Sequence, residues 1–154
     1  MRIKEGDFND PRVVELVNFH FTTARAETAE GSAHALDLTA LKSPEISFWS
    51  ILDEDELLGV GALKRLSPDH GEVKSMHIIT TRRGQGAGRS MLDHIVEVAR
   101  KEGMTRLSLE TGSWEYFRAA RAFYRRNGFS DCAPFAGYRK DANSVFMTLD
   151  LNQQ

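Results

Sequence analysis

Several things are scarce in this sequence, and each scarcity removes a class of answers. Cys132 is the only cysteine, so there can be no internal disulfide and no zinc site built on four cysteines. A lone cysteine of this kind reads as a small, partly buried apolar side chain. Nowhere do apolar residues run for the roughly 18 positions that a membrane span needs. The opening MRIKEGDFND lacks the apolar core of a secretory signal. Together these lead us to expect a cytoplasmic chain with no membrane partner. Charge of one sign is missing too. Twenty basic residues face 22 acidic ones, for a net charge of −2, so no global field attracts nucleic acid. No repeat and no Pro/Gly/Ser-rich linker divides the chain, which implies one domain over residues 1–154.

What is present is the composition of an ordinary globular domain: 41% hydrophobic and 27% charged residues. Arg2 to Lys4 suits a short first strand. Pro11 to Glu30 reads as a helix with Pro11 in its first turn and a stripe of Val13, Val14, Leu16, Val17 and Phe21. A second helix is expected over Ala33 to Leu41, before Pro44. The period then changes. ISFWSIL (46–52) and LLGVGALKRL (57–66) read as a hairpin around the acidic turn Asp53-Glu54-Asp55-Glu56. Four adjacent carboxylates at a hairpin tip do not converge on one ion, so no metal site is read there. EVKSMHIIT (72–80) is a further strand. Met91, Leu92, Ile95, Val96 and Ala99 give a long helix its apolar face, and Gly103 stops it. RLSLE (106–110) is a strand, and Phe117 to Arg126 a helix closed by Asn127-Gly128. A terminal hairpin is expected from strands near Phe135 to Arg139 and Val145 to Leu151. This order predicts an α/β fold: a mixed sheet with helices on its faces.

The most informative segment is MHIITTRRGQGAGRSML, where a strand enters a loop with three glycines and the loop enters a helix. Such a loop aims backbone N–H groups at one point, and the helix N-terminus adds partial positive charge. Arg82, Arg83 and Arg89 add full charges. The segment reads as a phosphate or pyrophosphate site. It is not a Walker loop, because Gly88-Arg89-Ser90 lacks the lysine and the spacing. The dinucleotide fingerprint also fails, since its third glycine would fall on Arg89 or Met91.

Arg83-Gly84-Gln85-Gly86-Ala87-Gly88 resembles the Arg/Gln-x-x-Gly-x-Gly/Ala motif of the GNAT N-acetyltransferases. The likeness extends in order through WSILDEDELLGVGAL (49–63), Glu72 to Ile78, LSLETG (107–112) and AARAFYRRNGF (119–129). It departs at Thr80-Thr81, where the family often has proline, and at Phe117, where it often has asparagine. The resemblance implies a bent, mostly antiparallel sheet with helices on both faces, whose fourth and fifth strands splay to admit acetyl-CoA. The pantetheine would pair with the backbone of Met76, His77 and Ile78. The pyrophosphate would lie on Arg83, Gly84, Gln85, Gly86, Ala87, Gly88 and Arg89. No metal is implied, and a homodimer is a family-based expectation.

Acetyl transfer to an amine requires a neutral nucleophile, a base for its proton, a donor for the oxyanion and a proton for the leaving thiolate. The resemblance gives the last role to Tyr124, with Phe123 beside it in the core, and the base role to Glu72 at the mouth of the cleft. Glu72, Lys74, Met76 and Ile78 share a face by alternation, unless a bulge near Met76 reverses the later residues. Glu110, at the end of the fifth strand, is a rival base, and His77 a third candidate. His20, His34, His70 and His94 show no triad or ligand spacing and read as surface residues. Trp49, Trp114, Phe135 and Tyr138 read chiefly as core. No G-x-S-x-G elbow supports a covalent acyl-enzyme. The expected activity is therefore direct acetyl transfer from acetyl-CoA to a small-molecule amine in a ternary complex. A protein lysine or N-terminal acetyltransferase and a non-catalytic acyl-CoA-binding domain are the alternatives.

Overall fold

The computed structural model describes residues 1–152; positions 153–154 of the single domain read above lie outside them. The strands are β1 (Arg2–Glu5), β2 (Ile46–Asp53), β3 (Glu56–Ser67), β4 (His70–Ile78), β5 (Arg106–Gly112), β6 (Ser130–Asp131) and β7 (Ser144–Asp150). The helices are α1 (Pro11–Ala26), α2 (Leu38–Leu41), α3 (Ala87–Lys101) and α4 (Arg118–Arg126). One seven-stranded sheet runs in the order β1-β2-β3-β4-β5-β7-β6. Its neighbours are antiparallel except for the parallel pair β4–β5. This is the mixed, mostly antiparallel sheet expected from the sequence.

Local sequence sets the start of α1 and the end of α3. The Asp10 carboxylate accepts from the Arg12 amide at 2.9 Å, and Pro11 follows in the first turn of α1. Gly103 ends α3 in the left-handed region, at φ 85°. Helix α3 buries Met91, Leu92, Ile95 and Ala99 against one face of the sheet. Gly61 on β3 lets it approach closely, since a Cβ there would stand 2.8 Å from the Met91 side chain. Helix α1 buries Val13, Leu16 and Val17 on the opposite face, against Phe48, Leu57, Val60 and Ala62. Covered on both sides, β3 is buried from Leu57 to Leu63. Truncating a residue as enclosed as Ile95 to alanine would cost about 2–5 kcal/mol.

Two expectations need correction. The helix read over Ala33 to Leu41 is only the turn Leu38–Leu41. Asp37 sets its start by accepting from the Ala40 amide at 2.8 Å, which leaves the preceding residues as a loop. The terminal hairpin over Phe135 to Arg139 is also absent. The partner of β7 is Ser130–Asp131 instead. The 135–138 segment closes a turn, with the Tyr138 amide donating to the Phe135 carbonyl at 3.1 Å and Ala136 at φ 51°. That turn sets the Phe135 and Tyr138 rings together on Phe146.

Candidate active site

Strands β4 and β5 pair only at His70–Arg106, Gly71–Leu107 and Glu72–Ser108. Beyond that point they diverge, which is the expected splay. A bulge in β4 helps to open it. His77 pairs with Val60 but Lys74 with Ala62, so β4 carries one extra residue there, and Ser75 has φ 53°. The bulge reverses side-chain parity. Glu72, Lys74 and His77 now share the α1 face, while Val73, Met76 and Ile78 pack with the α3 core. Simple alternation through Met76 and Ile78 is thereby corrected.

The wedge is a cleft of about 750 Å³, within the usual size of a small-molecule site. Lys74, Met76, His77 and Ile78 line one bank; Leu109 to Gly112, with Tyr124 and Phe123 of α4, line the other. The glycine loop sits at the wide end, where Gly84 and Gly86 have φ 79° and 91° and a Cβ on either would meet no atom within 4 Å. Gly86 is the N-cap of α3, so the loop offers an open concavity at the positive end of a fifteen-residue helix. The side chain of Gln85 accepts from Arg82 at 3.2 Å. Arg82 is tied to the hairpin turn through Glu56 at 2.8 Å and Asp53 at 3.4 Å. Arg83 donates to the Ile78 carbonyl at 3.2 Å. Arg89 forms only an exposed pair with Asp93, which holds it weakly. Arg126 of α4 adds a fourth cation from the other bank. No local motif marks it, because its approach depends on how α4 packs.

Tyr124 lines the cleft and is 7% exposed; burial drives its hydroxyl pKa up. Phe123, expected in the core, packs half-buried against it and also lines the cleft, its ring 3.4 Å from where a Cβ on Gly88 would be. Phe117 also lines the cleft and closes over Gly112, where a Cβ would lie 2.1 Å from its ring.

Glu72 does not stand at the mouth of the cleft, and that expectation is corrected. It is 2% exposed and lies beneath Tyr138, whose hydroxyl donates to it at 2.5 Å, with the Lys74 ammonium at 3.3 Å. Lys74 also donates to Tyr138 Oη and to the His34 carbonyl, both at 3.0 Å. The Tyr138 hydroxyl is pushed well above its usual pKa by burial first and by Glu72 next. The carboxylate that lines the cleft is Glu110, half-buried, its pKa raised chiefly by burial.

The structure brings His20, expected at the surface, together with His77, the third candidate base. Their Nδ1 atoms lie 2.9 Å apart, so one donates a proton and the other accepts with its bare nitrogen. Burial lowers both, His20 to about 3 and His77 to about 4, with His77 and then Lys74 adding to the first and Arg83 to the second. No sequence spacing links them; one lies on α1 and the other past the bulge. Residues Thr28, Ser32, Ala33, His34 and Ala35 complete the narrow end of the cleft. Among the described residues no cluster of His, Cys, Asp and Glu is arranged to hold a metal ion.

A model of the acetyltransferase (GNAT) family matches residues 12–129, a span that holds both banks of the cleft, the glycine loop and Tyr124. The chain belongs to the GNAT acetyltransferase family. It is 48% identical over 151 residues to the N-acetyltransferase YsnE of Bacillus subtilis, itself uncharacterized, covering 98% of this chain and 100% of that one. Its fold is similar to that of a Klebsiella pneumoniae structure assigned as an acyl-CoA N-acyltransferase, with TM-score 0.81, 29% identity and 97% of each chain covered. An aminoglycoside 6'-N-acetyltransferase solved with coenzyme A shares the fold at TM-score 0.73 and 16% identity, over 100% of this chain and 99% of that one. The chain is thus an N-acetyltransferase of the GNAT type.

Proposed function

We propose that this GNAT enzyme moves the acetyl group of acetyl-CoA to the primary amine of a small molecule, by direct attack while both are bound. One observation carries the reading: a single cleft joins an open, cationic glycine loop at one end to a half-buried carboxylate at the other, with Tyr124 between its walls. The bulged, unpaired edge of β4 from Met76 to Ile78 fits a ligand bearing amides, and the loop fits its phosphates. The coenzyme A complex of an enzyme with the same fold supports this. Supplied with the acetyl thioester, the protein has three tasks.

The first is to neutralise the attacking amine. Glu110 faces the cleft and Glu72 does not, so Glu110 is the proposed proton acceptor, directly or through water. A carboxyl raised by burial is a stronger base than an exposed one. The second is to stabilise the oxyanion, a role for the free backbone N–H groups of the β4 edge. The third is to help sulfur leave. As the C–N bond forms and the C–S bond breaks, nitrogen gives one proton to Glu110 and sulfur gains one from the Tyr124 hydroxyl, which solvent reprotonates as Glu110 releases its proton. The raised Tyr124 pKa keeps that hydroxyl protonated. It acts first as a hydrogen-bond donor to the developing thiolate, whose own proton affinity rises in the same dry cleft.

The narrow end favours a small acceptor over a peptide. The loop holding Ser32 to Ala35 and the turn holding Tyr138 meet over Lys74 and close that end. The test is thiol release from acetyl-CoA across an amine panel, with product mass and initial-rate patterns. Intersecting lines and an N-acetyl product are expected. Thiol release without any amine, or a protein gaining about 42 Da (one acetyl group in place of a hydrogen), would overturn the mechanism.

A further inference from the structure

The charge lining of the cleft is divided between its ends. Arg82, Arg83, Arg89 and Arg126 gather at the glycine loop, and Lys74 and Glu110 at the narrow end. Lys74 has no free donor to offer a ligand, because Glu72, Tyr138 Oη and the His34 carbonyl take its three N–H groups. Its charge is balanced by Glu72 at 3.3 Å. The His20–His77 pair adds no cation near neutral pH: one Nδ1 donates to the other 2.9 Å away, so the two rings cannot both be charged, and burial lowers them to about 3 and about 4 so that neither is. The cleft is otherwise lined here by side chains without charge, among them Ala24, Thr28, Ser32, Ala33, Ala35 and Thr111. Among the described residues Glu110 forms no ion pair, and it is the one carboxylate that lines the cleft. The narrow end is therefore neutral apart from one carboxylate.

We infer that the acceptor is a small monocation: one ammonium group, held by Glu110, on an otherwise uncharged body. This rests on the acetyl-transfer reading and narrows its substrate class. A second ammonium would have to shed its water against neutral walls with no partner, and a carboxylate would meet Glu110 with no free cation nearby. Both are costly in a half-buried site. Polycationic amines and amino acids are thus excluded as preferred acceptors. The enzymes of the same fold that act on aminoglycosides do not bear on this, being similar in fold alone.

The test uses a matched set at pH 8, where ordinary imidazoles are neutral: n-butylamine, 1,4-diaminobutane and 4-aminobutanoate. The wild type should acetylate butylamine with kcat/KM at least about tenfold above the other two, the ratio that one unpaired charge at about 1.4 kcal/mol produces. Ala35→Asp, which adds a carboxylate to the wall, should move the preference toward 1,4-diaminobutane by a similar factor. Equal or reversed preference in the wild type would overturn the inference while leaving the acetyl-transfer reading intact. A second arm does not depend on turnover. Butyltrimethylammonium cannot be acetylated but carries the same charge. Calorimetric titration into the coenzyme A complex should show binding to wild type, reduced about tenfold or more in Glu110→Gln. The neutral isostere 2,2-dimethylhexane, or its soluble alcohol, should not compete. If no amine is acetylated yet the quaternary ammonium binds through Glu110, the reaction reading fails and the monocation site stands. If the quaternary ammonium does not bind, or binds Glu110→Gln equally well, the monocation site fails.

Discussion

The Tyr138 hydroxyl donates to the Glu72 carboxylate at 2.5 Å across 66 residues of sequence. Lys74 bonds both, so three polar groups satisfy one another under the loops that close the acceptor end. Removing one member leaves the others buried and unpaired. Glu72→Gln should destabilise the fold by about 3–5 kcal/mol, because it strands the Lys74 charge. Tyr138→Phe should cost about 1–3 kcal/mol. Urea denaturation of each variant measures this. Stability equal to wild type in both would show that the network contributes nothing.

Glu110→Gln should behave differently, with little change in denaturation midpoint. Activity near neutral pH should fall by about 10²–10⁴-fold and recover in part at high pH, where solvent deprotonates the free amine. Because burial raises the Glu110 pKa, the wild-type acid limb of kcat/KM should lie above the ordinary carboxylate range. Ser144 first, then His34 and Lys74, pull it down, and Glu72 pushes it up. A wild-type profile in Glu110→Gln would return the base role to another group.

Tyr124→Phe deletes one hydroxyl from a buried ring. Turnover should drop by about 10²–10⁴-fold, while the dissociation constant of acetyl-CoA stays within about threefold. Retained turnover would show that sulfur leaves unaided.

Gly86→Asp places a carboxylate in the loop at φ 91°. Gly86→Asn is the control, equal in size, uncharged and tolerant of left-handed backbone. Coenzyme A should raise the melting temperature of wild type and, to a smaller extent, of Gly86→Asn, but not of Gly86→Asp. Equal shifts in all three would move the phosphate site elsewhere.

His20 and His77 have folded pKa values of about 3 and 4, below the ordinary 6.5. Between those values the unfolded chain binds more protons than the folded one, so stability rises with pH across that window. It is complete above about pH 6.5 and falls as pH drops toward 4, by up to about 1.4 kcal/mol per pH unit for each histidine. His20→Asn with His77→Asn should flatten the acid side of the stability curve. An unchanged slope would remove the pair as its cause.

The elements that depend on local signals were legible in the sequence: Pro11 in the first turn of α1, Gly103 closing α3, and the glycine loop between β4 and α3. The parts set by tertiary contact were not. The bulge at Ser75 reverses β4 without any turn residue to mark it. Asp37 could be read as one more helical position until its cap to Ala40 was visible. Phe135 and Tyr138 look like strand residues, but their rings find Phe146 by turning. At the site, the glycine motif pointed to the loop, while Arg126, His20 and the burial of Glu72 follow from how distant elements meet.

The short seam between β4 and β5 has a mechanical meaning. Four strands form one plate and three another, and only three residue pairs join them before the gap widens. A ligand lodged in that gap touches both plates and acts as a keystone. Slowed hydrogen exchange on its arrival should then reach beyond the residues it touches, into β5 and β7, where the second plate would gain a brace that its own backbone does not supply.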